Sequence, residues 1–113
     1  MSKNSKSDKM TIVYCLYPDS TEAKKTASLL LKKGKVICAN IVKDVESLYM
    51  WQGKLQRSKE VAVYFKTLTS FSKEVQKEIV KLHSYDVPFV AELKVEAVNM
   101  EYQQYAKKIL RST

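Results

Sequence analysis

A chain of 113 residues with 45% hydrophobic content makes one domain that removes about two thirds of its unfolded surface from water. No apolar run approaches the ~20 residues of a membrane span, and the N-terminus lacks the apolar core of a signal peptide, so the expectation is a cytoplasmic protein with no membrane partner and two reduced cysteines. The net charge of +8 invites a nucleic-acid partner, but the lysines are scattered over solvent faces and the only arginines are Arg57 and Arg111, which argues against a binding groove.

Residues 1–9 form a lysine-rich tail (Lys3, Lys6, Lys9) with almost nothing to bury, expected to be disordered, and residues 10–113 form the domain. Thr11 to Tyr17 reads as a first strand ended by Pro18. A helix follows, with Asp19 as its cap and Glu22 placed to answer it. Ala23, Ala27, Leu30 and Leu31 share its apolar face, and Gly34 closes it. Residues 36–51 are rich in β-branched and aromatic types and contain no Gly or Pro; they read as a long strand that turns at Gly53 and returns over residues 60–67.

A second helix opens at Thr69 or Ser70, with Phe71, Val75, Ile79 and Leu82 at helical spacing, and ends near His83-Ser84 ahead of Pro88. Phe89 to Val95 is a short strand. Asn99 is placed to cap a last helix with Tyr102, Tyr105, Ala106, Ile109 and Leu110 on its buried side.

The long strand is the feature that matters. Sixteen extended residues reach about 50 Å, against a radius of gyration of about 13 Å for a domain of this size. The hairpin should therefore overhang its own subunit. It carries large apolar groups on both parities, Val45, Tyr49 and Trp51 against Leu48 and Met50, so the overhang calls for a partner chain, most simply further copies of itself. The alternative is a bend at Lys43-Asp44 that divides the run into two ordinary strands.

The order strand, helix, strand, strand, helix, strand, helix specifies an α+β, ferredoxin-like βαββαβ sandwich with both main helices on one face and an extra C-terminal helix. Its four-stranded sheet needs a cover on the other face, which the sheets of neighbouring subunits in a trimer would supply.

The motifs Pro18-Asp19, Cys38-Ala39-Asn40-Ile41, Ser47-Leu48-Tyr49, Trp51-Gln52-Gly53-Lys54, Glu60, Lys66-Thr67 and His83-Ser84-Tyr85-Asp86-Val87-Pro88 resemble those of the CutA family of divalent-cation tolerance proteins, from Ile12 to Leu110. The chain departs from that pattern at Lys43 and Ser84, where the family often has Pro, and at Asp86, where it often has Glu. The resemblance implies a ferredoxin-like subunit, a tight homotrimer built by the long hairpins, and a role in tolerance of divalent metal ions, copper in particular. It implies copper contacts on a first-strand cysteine, matched by Cys15, and on two adjacent histidines, of which His83 matches the second while Leu82 stands at the first. Thiolate and imidazole are suitable copper donors, yet a buried cysteine behaves as a small hydrophobe and a histidine at a helix C-terminus caps carbonyls.

Glu60, Lys66, Tyr85 and Asp86 are the candidates for an intersubunit cleft that takes an anionic small molecule; ion pairs that fix subunit geometry are the plainer reading. Tyr49 and Trp51 are the candidate interface anchors. Two glycines in the whole chain leave no room for a phosphate loop, and the single histidine has no nucleophile motif around it, so no enzyme is expected. The leading expectation is a copper-binding or other divalent-metal-binding homotrimer. The alternatives are a trimeric nucleotide sensor resembling the PII signalling proteins and a structural interaction trimer.

Overall fold

A computed structural model describes residues 8–110 of the chain; residues 1–7 of the tail lie outside the described residues. The elements run β1 (Met10–Tyr17), α1 (Ser20–Lys32), β2 (Cys38–Trp51), β3 (Lys54–Leu68), α2 (Thr69–Leu82), β4 (Val90–Lys94) and α3 (Met100–Ile109). The sheet is antiparallel in the order β2-β3-β1-β4, the ferredoxin-like arrangement expected from the element order.

Alternation sets the core. Thr11, Val13, Cys15 and Tyr17 of β1, and Val61, Val63, Phe65 and Thr67 of β3, are all buried. They face Ala23, Ala27 and Leu30 of α1 and Phe71, Val75 and Ile79 of α2. The even-numbered residues of β1 and β3, among them Ile12, Tyr14, Tyr64 and Lys66, point to the opposite face, where Tyr14 meets Tyr64 edge-on at 5.0 Å and Phe89 at 6.1 Å.

Asp19 accepts the Glu22 backbone N–H at 2.8 Å and caps α1. The Glu22 carboxylate does not return to the cap; it accepts instead from Ser84 N–H and Oγ–H at 2.9 and 2.7 Å. Gly34 has φ +70°, a left-handed conformation in which a side chain would be strained. The N-terminus of α2 is capped from outside the helix: Asp8 accepts from Ser70 N–H at 3.1 Å and from its hydroxyl, and the Lys9 carbonyl accepts from Thr69 N–H and Oγ1–H. Asp8 and Lys9 are thus built into the fold, with a carboxylate at the positive end of the helix dipole. In α3, Asn99 makes no side-chain cap bond, and Tyr105 and Ile109, expected inside, are exposed, while Ala106 and Leu110 are buried.

The long strand holds together as one strand with a β-bulge. Val42 pairs with Ala62, and Val45 pairs with Glu60, so Lys43 and Asp44 together oppose Val61. Asp44 takes φ 59°, a conformation Asp tolerates better than most residues. β3 begins at Lys54, six residues before its expected start, because the polar run 54–60 pairs throughout with Val45–Trp51. The bulge shifts the register by one, which moves Val45, Ser47, Tyr49 and Trp51 onto the face of Asn40 and Val42. The subunit extends 49 × 25 × 23 Å with a radius of gyration of 15.2 Å, so the arm does reach beyond the domain. Leu48, Met50, Trp51 and Leu55 on it are each more than 60% exposed.

Candidate functional site

The segment after α2 gathers the polar side chains. α2 stops at Leu82 because His83 is extended (ψ 143°), which drops its ring into the fold. The ring lies flat on Tyr17, centroids 4.6 Å apart and planes 10° from parallel, and its side chain is 0% exposed. Nδ1 accepts the Tyr85 backbone N–H at 3.1 Å. An N–H can only donate, so the ring proton sits on Nε2, which donates to the Leu16 carbonyl at 2.7 Å. Both nitrogens are committed within the subunit. The Glu22 carboxylate lies 3.7 Å from Nδ1, but its hydrogen bonds go to Ser84.

Cys15 is fully buried on β1, its Sγ 3.6 Å from the Leu16 carbonyl. Burial pushes its thiol up from 9.0 to about 12 against smaller opposing contributions from Tyr17 and the Leu16 carbonyl. A metal needs the thiolate. The Tyr17 hydroxyl faces Cys15 and Thr26 without making a hydrogen bond of good geometry, and burial raises its pKa. Cys15 and His83 thus share Tyr17 as a neighbour. Neither offers a ready donor to a copper ion in this arrangement, and no group of three or more His, Cys, Asp or Glu suited to a metal occurs among the described residues.

The cleft candidates divide into two places. The Tyr85 hydroxyl donates to Glu60 Oε2 at 2.9 Å, and burial, followed by this bond, raises the phenol pKa. Tyr49 lies close enough to contribute to that shift. Asp86 is exposed beside them. Lys66 sits six residues further along β3, roughly 20 Å from Glu60 at ~3.3 Å per residue, with its Nζ 5.7 Å from the centre of the Tyr102 ring. Glu60 and Lys66 are therefore not a pair within the subunit. Trp51 and Tyr49 stand on the exposed arm. Glu22, Tyr17 and Tyr102 were not singled out from the sequence as parts of these sites, since their contacts depend on elements far apart in the chain.

The sequence model of the family described as "CutA1 divalent ion tolerance protein" matches residues 11–109. The chain is 37% identical over 99 residues to the divalent-cation tolerance protein CutA of Thermococcus kodakarensis, covering 88% of this chain and 94% of that protein. Among solved structures it is similar to CutA1 from Pyrococcus horikoshii, with TM-score 0.85, 33% identity, and coverage of 90% of this chain and 99% of the other. The fold also matches CutA1 from Ehrlichia chaffeensis at TM-score 0.89 with 22% identity, covering 92% and 97% of the two chains. With the bulged hairpin and the His83-to-Pro88 turn in place, the match over nearly the whole domain shows that this chain belongs to the CutA1 divalent ion tolerance family.

Proposed function

We propose that the chain assembles as a homotrimer and contributes to divalent-cation tolerance, copper among the cations, through a non-catalytic role in the cytoplasm. The observation that carries the assembly is the arm: Leu48, Met50, Trp51 and Leu55 lie exposed on both of its faces, beside an open sheet face bearing Tyr14, Tyr64 and Phe89. So much adjoining apolar surface, next to unpaired edges at β2 and β4, needs other protomers to cover it. The divalent-ion part is supported by the names of the relatives, and the cytoplasmic part by two unbridged thiols, Cys15 and Cys38. No helix among the described residues is long and apolar enough to cross a membrane.

For copper, Cys15 and His83 are the soft donors, and their resting contacts would have to open before either binds. Sedimentation at low concentration tests the assembly: a lone folded 13.0 kDa species overturns it. Calorimetry with Cu(II) and, separately, with ATP tests the ligand. Copper heat that is lost in both Cys15→Ser and His83→Gln supports the donors named here; heat with ATP alone moves the reading to a nucleotide sensor.

A further inference from the structure

β1 stops at Tyr17, opposite Val61 of β3, and Pro18 follows with no N–H to carry the ladder on. From Glu60 outward β3 is paired with β2 alone, so the arm is a two-stranded ribbon. Such a ribbon is marginally stable by itself. This one also leaves the body at the bulge, where Asp44 takes φ 59° and the ladder is locally interrupted. The sheet therefore does not fix the pose of the arm, which needs a brace from elsewhere.

Among the described residues, one side-chain hydrogen bond joins this ribbon to the body: the Tyr85 hydroxyl donates to Glu60 Oε2 at 2.9 Å. It takes hold at the first residue of β3 that β1 no longer accompanies. Tyr85 is in turn held by His83. The Tyr85 backbone N–H donates to Nδ1 at 3.1 Å, and the two rings lie 4.7 Å apart, tilted by 42°. The imidazole is itself locked, flat on Tyr17 and with Nε2–H on the Leu16 carbonyl at 2.7 Å. Leu16 and Tyr17 are the last residues of β1. The strand end, the imidazole, the turn and Glu60 thus close a circuit across the gap that β1 leaves. We propose that His83 is the positioning residue of the arm: by fixing Tyr85 it sets Glu60, and with it the direction in which the ribbon leaves the bulge. That direction decides which surface meets the neighbouring copies, a consequence that rests on the homotrimer proposed above. The bracing itself needs Nδ1 as an acceptor, no metal and no second chain.

The test is amide hydrogen exchange of the full chain in chelator, comparing residues 45–60 of the arm with residues 61–66 at the sheet centre. Tyr85→Phe removes the donor to Glu60, His83→Leu removes the acceptor of the Tyr85 N–H, and His83→Asn keeps an acceptor near the place of Nδ1. Exchange over 45–60 is expected to rise about tenfold in Tyr85→Phe and in His83→Leu, a difference of ~1.4 kcal/mol. Residues 61–66 should keep their protection, and His83→Asn should recover most of what His83→Leu loses. The double variant should exceed neither single one, because both cut the same circuit. Unchanged arm exchange in Tyr85→Phe, equal losses in arm and centre, or additive effects in the double variant overturns the proposal. Should the His83 variants fail to fold, the imidazole ¹⁵N spectrum of the parent decides: a proton on Nε2 is expected, and one on Nδ1 overturns the bracing, since that nitrogen could then accept nothing. The readout lies within one chain, so it stands whether sedimentation finds a trimer or a lone subunit.

Discussion

The Tyr85 hydroxyl donates to Glu60 Oε2 at 2.9 Å, and Glu60 is the residue paired with Val45 at the outer end of the β2 bulge. One hydrogen bond therefore ties the segment following α2 to the root of the arm. Tyr85→Phe removes the donor and leaves the carboxylate short of a partner. The expected cost is about 1–2 kcal/mol, at the low end for a bond to a charged group because the site is only partly buried; urea denaturation measures it. Unchanged stability would show the bond to be incidental.

Trp51→Ala should weaken the homotrimer proposed above. A large exposed aromatic on a projecting arm has the character of an interface anchor, and its truncation is expected to cost roughly 2 kcal/mol or more per site. Light scattering and sedimentation should report dissociation at concentrations where the parent stays assembled. A trimer of unaltered mass and melting point would show that Trp51 is not an anchor.

Alkaline pH should destabilise the fold through Cys15. Its thiol pKa is raised from 9.0 to about 12 on folding, so between those values the unfolded chain has lost a proton that the folded chain retains. The associated stability is complete below about pH 9 and falls as pH rises toward 12, by up to about 1.4 kcal/mol per pH unit. Tyr17 and Tyr85, also raised, add to the loss at higher pH. Cys15→Ala should show a shallower decline than the parent when denaturation is compared at about pH 8 and about pH 10.5; parallel curves would exclude the thiol as a contributor.

Asp8→Ala should lower stability by about 1 kcal/mol, the usual worth of an N-cap side chain, because Asp8 holds the Ser70 end of α2. Raising the salt concentration should shrink only the dipole part of this difference. Thermal melts of the two proteins at low and high salt check both statements.

Much of this was legible in the sequence because the signals were local. Asp19 followed by a helical apolar face, Gly34 at its end, and the β-branched run into Trp51 each describe their own neighbourhood. The start of β3 was not legible: Lys54 to Glu60 has a polar composition and becomes strand because β2 lies beside it. Nor was the cap of α2, which comes from Asp8, 62 residues away in the chain. The site residues fared similarly. The His83-Tyr85 turn was marked by its motif, but its contacts with Tyr17 and Glu22 come from tertiary packing. Pairing Glu60 with Lys66 fails within the subunit because they stand on one extended strand, where sequence distance becomes real distance.

The extra residue at Lys43-Asp44 lets one strand serve two masters. Its inner half keeps the alternation the subunit's helices require, while its outer half is turned over by one step, so that Tyr49 and Trp51 present the side they would otherwise hide. A chain shortened by one residue at that point would keep its centre and wear its arm inside out, folding as a subunit yet turning the wrong surface toward the neighbouring copies proposed above.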